Sequence, residues 1–150
     1  MPMTRDSLYG LEFDWLAFDA DGHLALCSSA GYGEIPAVVL ENTSEDDAWN
    51  AAESLLLTLP VIGEATAEGR GPGSCAEWPA LASRGVFIFD WNHWRGPYER
   101  IVVPSVAVPR PQLARDLRRR LLVVDLPVPC FATAPHFDGG AVLTASLASP

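Results

Sequence analysis

A chain of 150 residues, 49% of them hydrophobic and thirteen of them proline, is long enough to close one hydrophobic core, and one globular domain over residues 1–150 is expected. All ten basic residues are arginine, against nineteen acids, for a net charge of −9; such a surface repels phosphate backbones, so no nucleic-acid binding is expected. No apolar run reaches membrane-spanning length and residues 1–10 lack a signal-peptide layout, so the expectation is a cytoplasmic protein with no membrane association.

The first predicted element is a β-hairpin. Two apolar runs flank Asp21-Gly22, a strong two-residue turn signal. That turn pairs Phe18 with Ala25 and Leu16 with Cys27. Trp15, Ala17, Leu24 and Leu26 then share the other face. Both faces are apolar, which predicts a central hairpin covered on two sides.

A glycine-rich turn, Gly31-Tyr32-Gly33, leads into a short apolar segment, Ala37 to Leu40. A helix is expected over Ser44–Leu59. Thr43 or Ser44 can cap it, Glu45, Asp46 and Asp47 suit the positive end of its dipole, and Ala48, Trp49, Ala52, Leu55, Leu56 and Leu59 recur at helical spacing. Val61 to Pro79 reads as a long loop, and Ala76 to Ser83 as one helical turn.

A second hairpin follows, from Gly85–Asp90 through Trp91–Pro97 to Tyr98–Val103. Alternation puts Phe87, Phe89 and Trp91 on one of its faces, and Ile88, Asp90, Asn92 and Trp94 on the other. Gln112 to Arg120 reads as an arginine-rich helix running into a Leu121–Val124 strand. Val128–Thr133 and Ala141–Leu147 are further candidate strands. The fold class is therefore α+β: a mixed, mostly antiparallel sheet built on two hairpins, with one main helix packed on it.

Catalytic signatures are sparse. The cysteines, Cys27, Cys75 and Cys130, form no Cys-x-x-Cys pair, so free thiols are expected. His23 and Cys27 stand four residues apart on one strand, about 13 Å at strand rise, too far for a nucleophile and its base. His23, His93 and His136 show no metal-ligand spacing, and Asp14, Asp19 and Asp21 do not fit a calcium loop. No serine elbow or phosphate loop is present. The expectation is no catalytic residue, no metal and no cofactor. The enzyme alternative needs a site assembled from His23, His93, Cys130 or His136 with an aspartate.

The charge is unevenly divided: residues 1–80 hold fourteen acids and two arginines, residues 81–150 five acids and eight arginines. The acidic half would attract a cationic partner. Trp91-Asn92-His93-Trp94-Arg95 gathers tryptophan and arginine, the types that dominate protein-binding hot spots.

The stretch Phe-Asp-Trp-Leu-Ala-Phe-Asp-Ala-Asp-Gly-His-Leu-Ala, with Ser-Ser-Ala-Gly-Tyr-Gly-Glu-Ile-Pro after it, resembles small acidic bacterial proteins of the polymorphic-toxin immunity type. The later Phe-Ile-Phe-Asp-Trp and Gly-Pro-Tyr-Glu-Arg-Ile-Val-Val-Pro segments are similar to a second block in such proteins. The resemblance implies a non-enzymatic protein that binds and neutralises a cognate, basic toxin domain. Expected contacts are Glu45, Asp46, Asp47, Glu64, Glu68, Trp91, His93, Trp94 and Arg95. A monomer or weak homodimer is expected; the other alternative is a self-associating structural protein.

Overall fold

A computed structural model describes residues 4, 6–43, 52–92, 95–109 and 115–148. The described residues form a mixed α+β structure, with eight strands in one sheet and five short helices. Strands β1 (Asp14–Phe18) and β2 (Leu24–Ser28) make the first hairpin. Helices α1 (Ala37–Glu41) and α2 (Ala52–Leu56) follow, then β3 (Ala65–Ala67) and α3 (Glu77–Ala82). Strands β4 (Phe87–Trp91) and β5 (Tyr98–Pro104) make the second hairpin. Helix α4 (Arg115–Arg120), β6 (Val123–Asp125), β7 (His136–Phe137), α5 (Gly139–Leu143) and β8 (Ser146–Leu147) complete it.

The strand order is β3-β5-β4-β2-β1-β6-β8, with β7 beside β5. Two pairings, β1 with β6 and β2 with β4, are parallel; the rest are antiparallel. The first hairpin is central, as its two apolar faces require. Trp15, Ala17, Ala25 and Cys27 join one buried cluster with Phe87, Phe89 and Trp91, under Val39 of α1 and Val142 of α5. Leu16, Phe18, Leu24 and Leu26 join the other with Ile88, under Leu56 of α2, Leu81 of α3 and Leu117 of α4. No described helix is long and apolar enough to cross a membrane.

The hairpin register differs from the expected one by a residue: Phe18 faces Leu24, Leu16 faces Leu26 and Trp15 faces Cys27. The cause is Asp19. Its backbone N–H donates to the His23 carbonyl at 3.1 Å, and its Oδ1 accepts the His23 N–H at 2.8 Å. The turn therefore holds three residues, Ala20 to Gly22, and closes on Gly22 at φ +82°. A glycine in that left-handed position ends the common three-residue hairpin loop. The side chain of Asp19 supplies a contact that a two-residue turn would not need.

Two expected strands are replaced. Val128–Thr133 is a looped segment, because Pro127 and Pro129 withhold ladder donors. It is anchored by fully buried Phe131, whose N–H donates to Asp19 Oδ2 at 2.7 Å. Ala141–Leu147 divides into α5 and β8. Asp138 caps α5, its Oδ1 accepting the Ala141 N–H at 3.2 Å. The Val61–Pro79 loop contains a short edge strand, β3. Of the Ser44–Leu59 helix, Ala52–Leu56 is α2, and residues 44–51 lie outside the described residues.

Candidate functional site

Sheet register assembles a polar row that the linear sequence hides. Asp14 of β1 faces Ser28 of β2, Ser28 pairs with Asp90 of β4, and Asp90 faces Glu99 of β5. Residues at one register across a sheet share a face. The row therefore ends the apolar face formed by Leu16, Leu26 and Ile88. Ser28 is buried, and its Oγ has no partner of hydrogen-bonding geometry among the described residues.

Carboxylates crowd this end. Burial pushes Asp14 up to about 7; the Glu53 carboxylate of α2 adds repulsion and a hydrogen bond that requires a proton, and Glu12 adds further repulsion. Burial also raises Asp90, against the opposing pull of Arg70. Arg70 bridges the row, with Nη1 at 3.0 Å from Asp90 Oδ2 and Nε at 2.9 Å from Glu99 Oε2. Asn92 Nδ2 donates to Glu99 Oε1 at 2.7 Å. Beyond Glu53, the Cys75 thiol donates to Glu77 Oε2 at 3.6 Å, and these three side chains lie within 4.8 Å of one another. Burial raises the Cys75 thiol. Glu12, Asp14, Glu53 and Glu77 have no ion pair among the described residues.

The expected contact residues are dispersed. Glu64 is exposed before β3, its N–H donating to Ser105 Oγ at 2.8 Å, near the β5 end remote from Glu99. Glu68 is half-buried and ion-paired to Arg100, whose Nη1 also donates to the Phe131 carbonyl at 2.6 Å. Trp91 is 6% exposed, its ring edge-on to Tyr98 at 4.8 Å, so it belongs to the core. Arg95 is exposed at the tip of the second hairpin. Glu45, Asp46, Asp47, His93 and Trp94 lie outside the described residues. The row of Asp14, Asp90 and Glu99 was missed because it depends on the parallel β2–β4 pairing, which no local pattern announces.

One pairing of histidine and cysteine does form. His23 Nδ1 lies 4.0 Å from Cys130 Sγ and 3.4 Å from Asp19 Oδ2. A thiol–imidazole–carboxylate relay needs the thiol and the carboxylate on different ring nitrogens. Here both face the same nitrogen, so the geometry is not that of a thiol hydrolase. Cys27 is fully buried among apolar side chains, and burial raises its thiol well above the ordinary range. His136 sits apart, lining an open groove of about 480 Å³ with Pro97, Pro127, Pro129, Phe137 and Asp138.

Comparison with family models, with curated proteins and with solved structures finds no match to this chain.

Proposed function

We propose that this chain is a non-enzymatic binding protein of the immunity type, which neutralises a basic bacterial toxin domain by holding it against an acidic surface. The supporting observation is how its charges are spent. Arg70 and Arg100 are ion-paired to acids, and Arg84 and Arg118 donate to backbone carbonyls. Glu12, Asp14, Glu53 and Glu77 remain clustered with no such partner among the described residues. A lysine or arginine brought to that cluster relieves repulsion as well as adding attraction. Such complementarity speeds encounter and selects the partner's charge. Exposed Glu64, at the far end of β5, and Arg95, at the hairpin tip, stand apart from this cluster.

The test is co-expression with a basic toxin domain encoded in the adjacent reading frame. A stoichiometric complex is expected, with rescue of toxin-expressing cells. Glu12→Lys and Glu77→Lys should each slow association by about three- to tenfold, as reversal of a steering charge does. A neighbouring frame without a toxin, together with a native pull-down that returns nothing stoichiometric, refutes the reading.

A further inference from the structure

The contact between the first hairpin turn and the Phe131 loop brings three different metal-ligand types together. Asp19, His23 and Cys130 each offer one ligand atom, and the three atoms lie within 4.8 Å of one another. Asp19 Oδ2 to His23 Nδ1 is 3.4 Å, and His23 Nδ1 to Cys130 Sγ is 4.0 Å. Tetrahedral zinc, with bonds of about 2.0 Å to oxygen or nitrogen and about 2.3 Å to sulfur, sets ligand atoms about 3.3–3.6 Å apart. The carboxylate–imidazole edge already fits. The imidazole–thiolate edge needs about half an ångström of closure, within reach of a χ1 adjustment at Cys130 on its loop.

One ring nitrogen directed at both a carboxylate and a thiol has room for a single positive centre between them. A proton on Nδ1 serves one acceptor well, whereas a cation serves all three atoms. We propose that Asp19, His23 and Cys130 bind a divalent zinc-class cation, with the fourth position open to water. The supporting contacts that orient such ligands are in place. The Asp19 side chain is fully buried, its Oδ1 accepts the His23 N–H at 2.8 Å and its Oδ2 accepts the Phe131 N–H at 2.7 Å. The His23 side chain is 28% exposed, which gives the ion a route in from solvent. Binding releases the Cys130 thiol proton to solvent and joins two segments 107 residues apart in sequence. The ion therefore clamps the Phe131 loop to the hairpin. This site is independent of the acidic cluster and of the toxin-binding reading.

Cobalt(II) replaces zinc with visible absorption and, where a thiolate binds, an added sulfur-to-metal charge-transfer band. Titration of the purified full chain should give one equivalent of cobalt with that band, displaced by zinc, and a raised melting temperature. Cys130→Ser should abolish the band. His23→Gln should weaken binding by more than the about 10- to 100-fold that loss of a supporting contact costs. Cys27→Ser and Cys75→Ser should leave both intact. Asp19→Asn is not relied on, because Asp19 also shapes the turn. Absence of a band in the parent protein, persistence of the band in Cys130→Ser, unchanged affinity in His23→Gln, or loss of the band only in Cys75→Ser would each overturn the proposal.

Discussion

At residue scale, the carboxyl of Asp14 has the strongest pH consequence. Its pKa rises from the ordinary 3.8 to about 7 in the folded chain. Between those values the folded state keeps a proton that the unfolded chain has lost, so stability falls as pH rises through that window. Asp14→Asn removes the term. The variant should gain stability relative to the parent as pH rises from about 4 to about 8, by at most about 4 kcal/mol, and the difference should vanish toward about pH 4. Urea denaturation of both proteins at several pH values measures this; parallel pH profiles would contradict it. Tyr98 makes a second residue-scale case. Its hydroxyl accepts from Trp15 Nε1 at 3.0 Å and donates to the Glu34 carbonyl at 2.6 Å, in a fully buried setting. Tyr98→Phe strands a buried indole N–H and should cost about 1–3 kcal/mol in the same assay.

At the scale of elements, strand existence was legible and side-chain-made turns were not. Apolar runs flanking the Asp21-Gly22 turn located β1 and β2, the second hairpin located β4 and β5, and the β4 alternation correctly separated Phe87, Phe89 and Trp91 from Ile88 and Asp90. The first hairpin slipped by a residue because Asp19 bonds back to His23 across the turn, and a hydrophobic pattern on both faces does not register the slip. The C-terminal third was misread where short apolar runs were interrupted by Pro127, Pro129 and the Asp138 cap. Gly33 shows how closely the segment after β2 fits against the second hairpin. A Cβ there would stand 2.8 Å from Trp91 Cγ and 2.8 Å from the Tyr98 hydroxyl oxygen. Gly33→Ala should therefore destabilise by about 1–3 kcal/mol through overpacking. A midpoint shift in urea without a change in slope would register it, and an unchanged midpoint would contradict the packing described here.

At the scale of the molecule, net charge was readable from composition, but its arrangement was not. The acidic row needs β2 beside β4, and the His23–Cys130 contact joins residues from opposite ends of the chain. These are products of topology, which local periodicity does not carry. The same arrangement pairs Arg70 with Asp90 and Glu99 and Arg100 with Glu68, and leaves Arg95, Arg115, Arg119 and Arg120 exposed. A partner held by the remaining carboxylates should bind with strong salt dependence, since exposed charges are screened beyond about 8–10 Å at physiological ionic strength.

Association kinetics with the adjacent-frame toxin domain, measured from low to high salt, test the binding reading most directly. A one-to-one complex is predicted, with an association rate that falls at least about tenfold between roughly 0.05 M and 0.5 M salt and a dissociation rate that changes much less. No complex, or a complex whose association ignores salt, would contradict it.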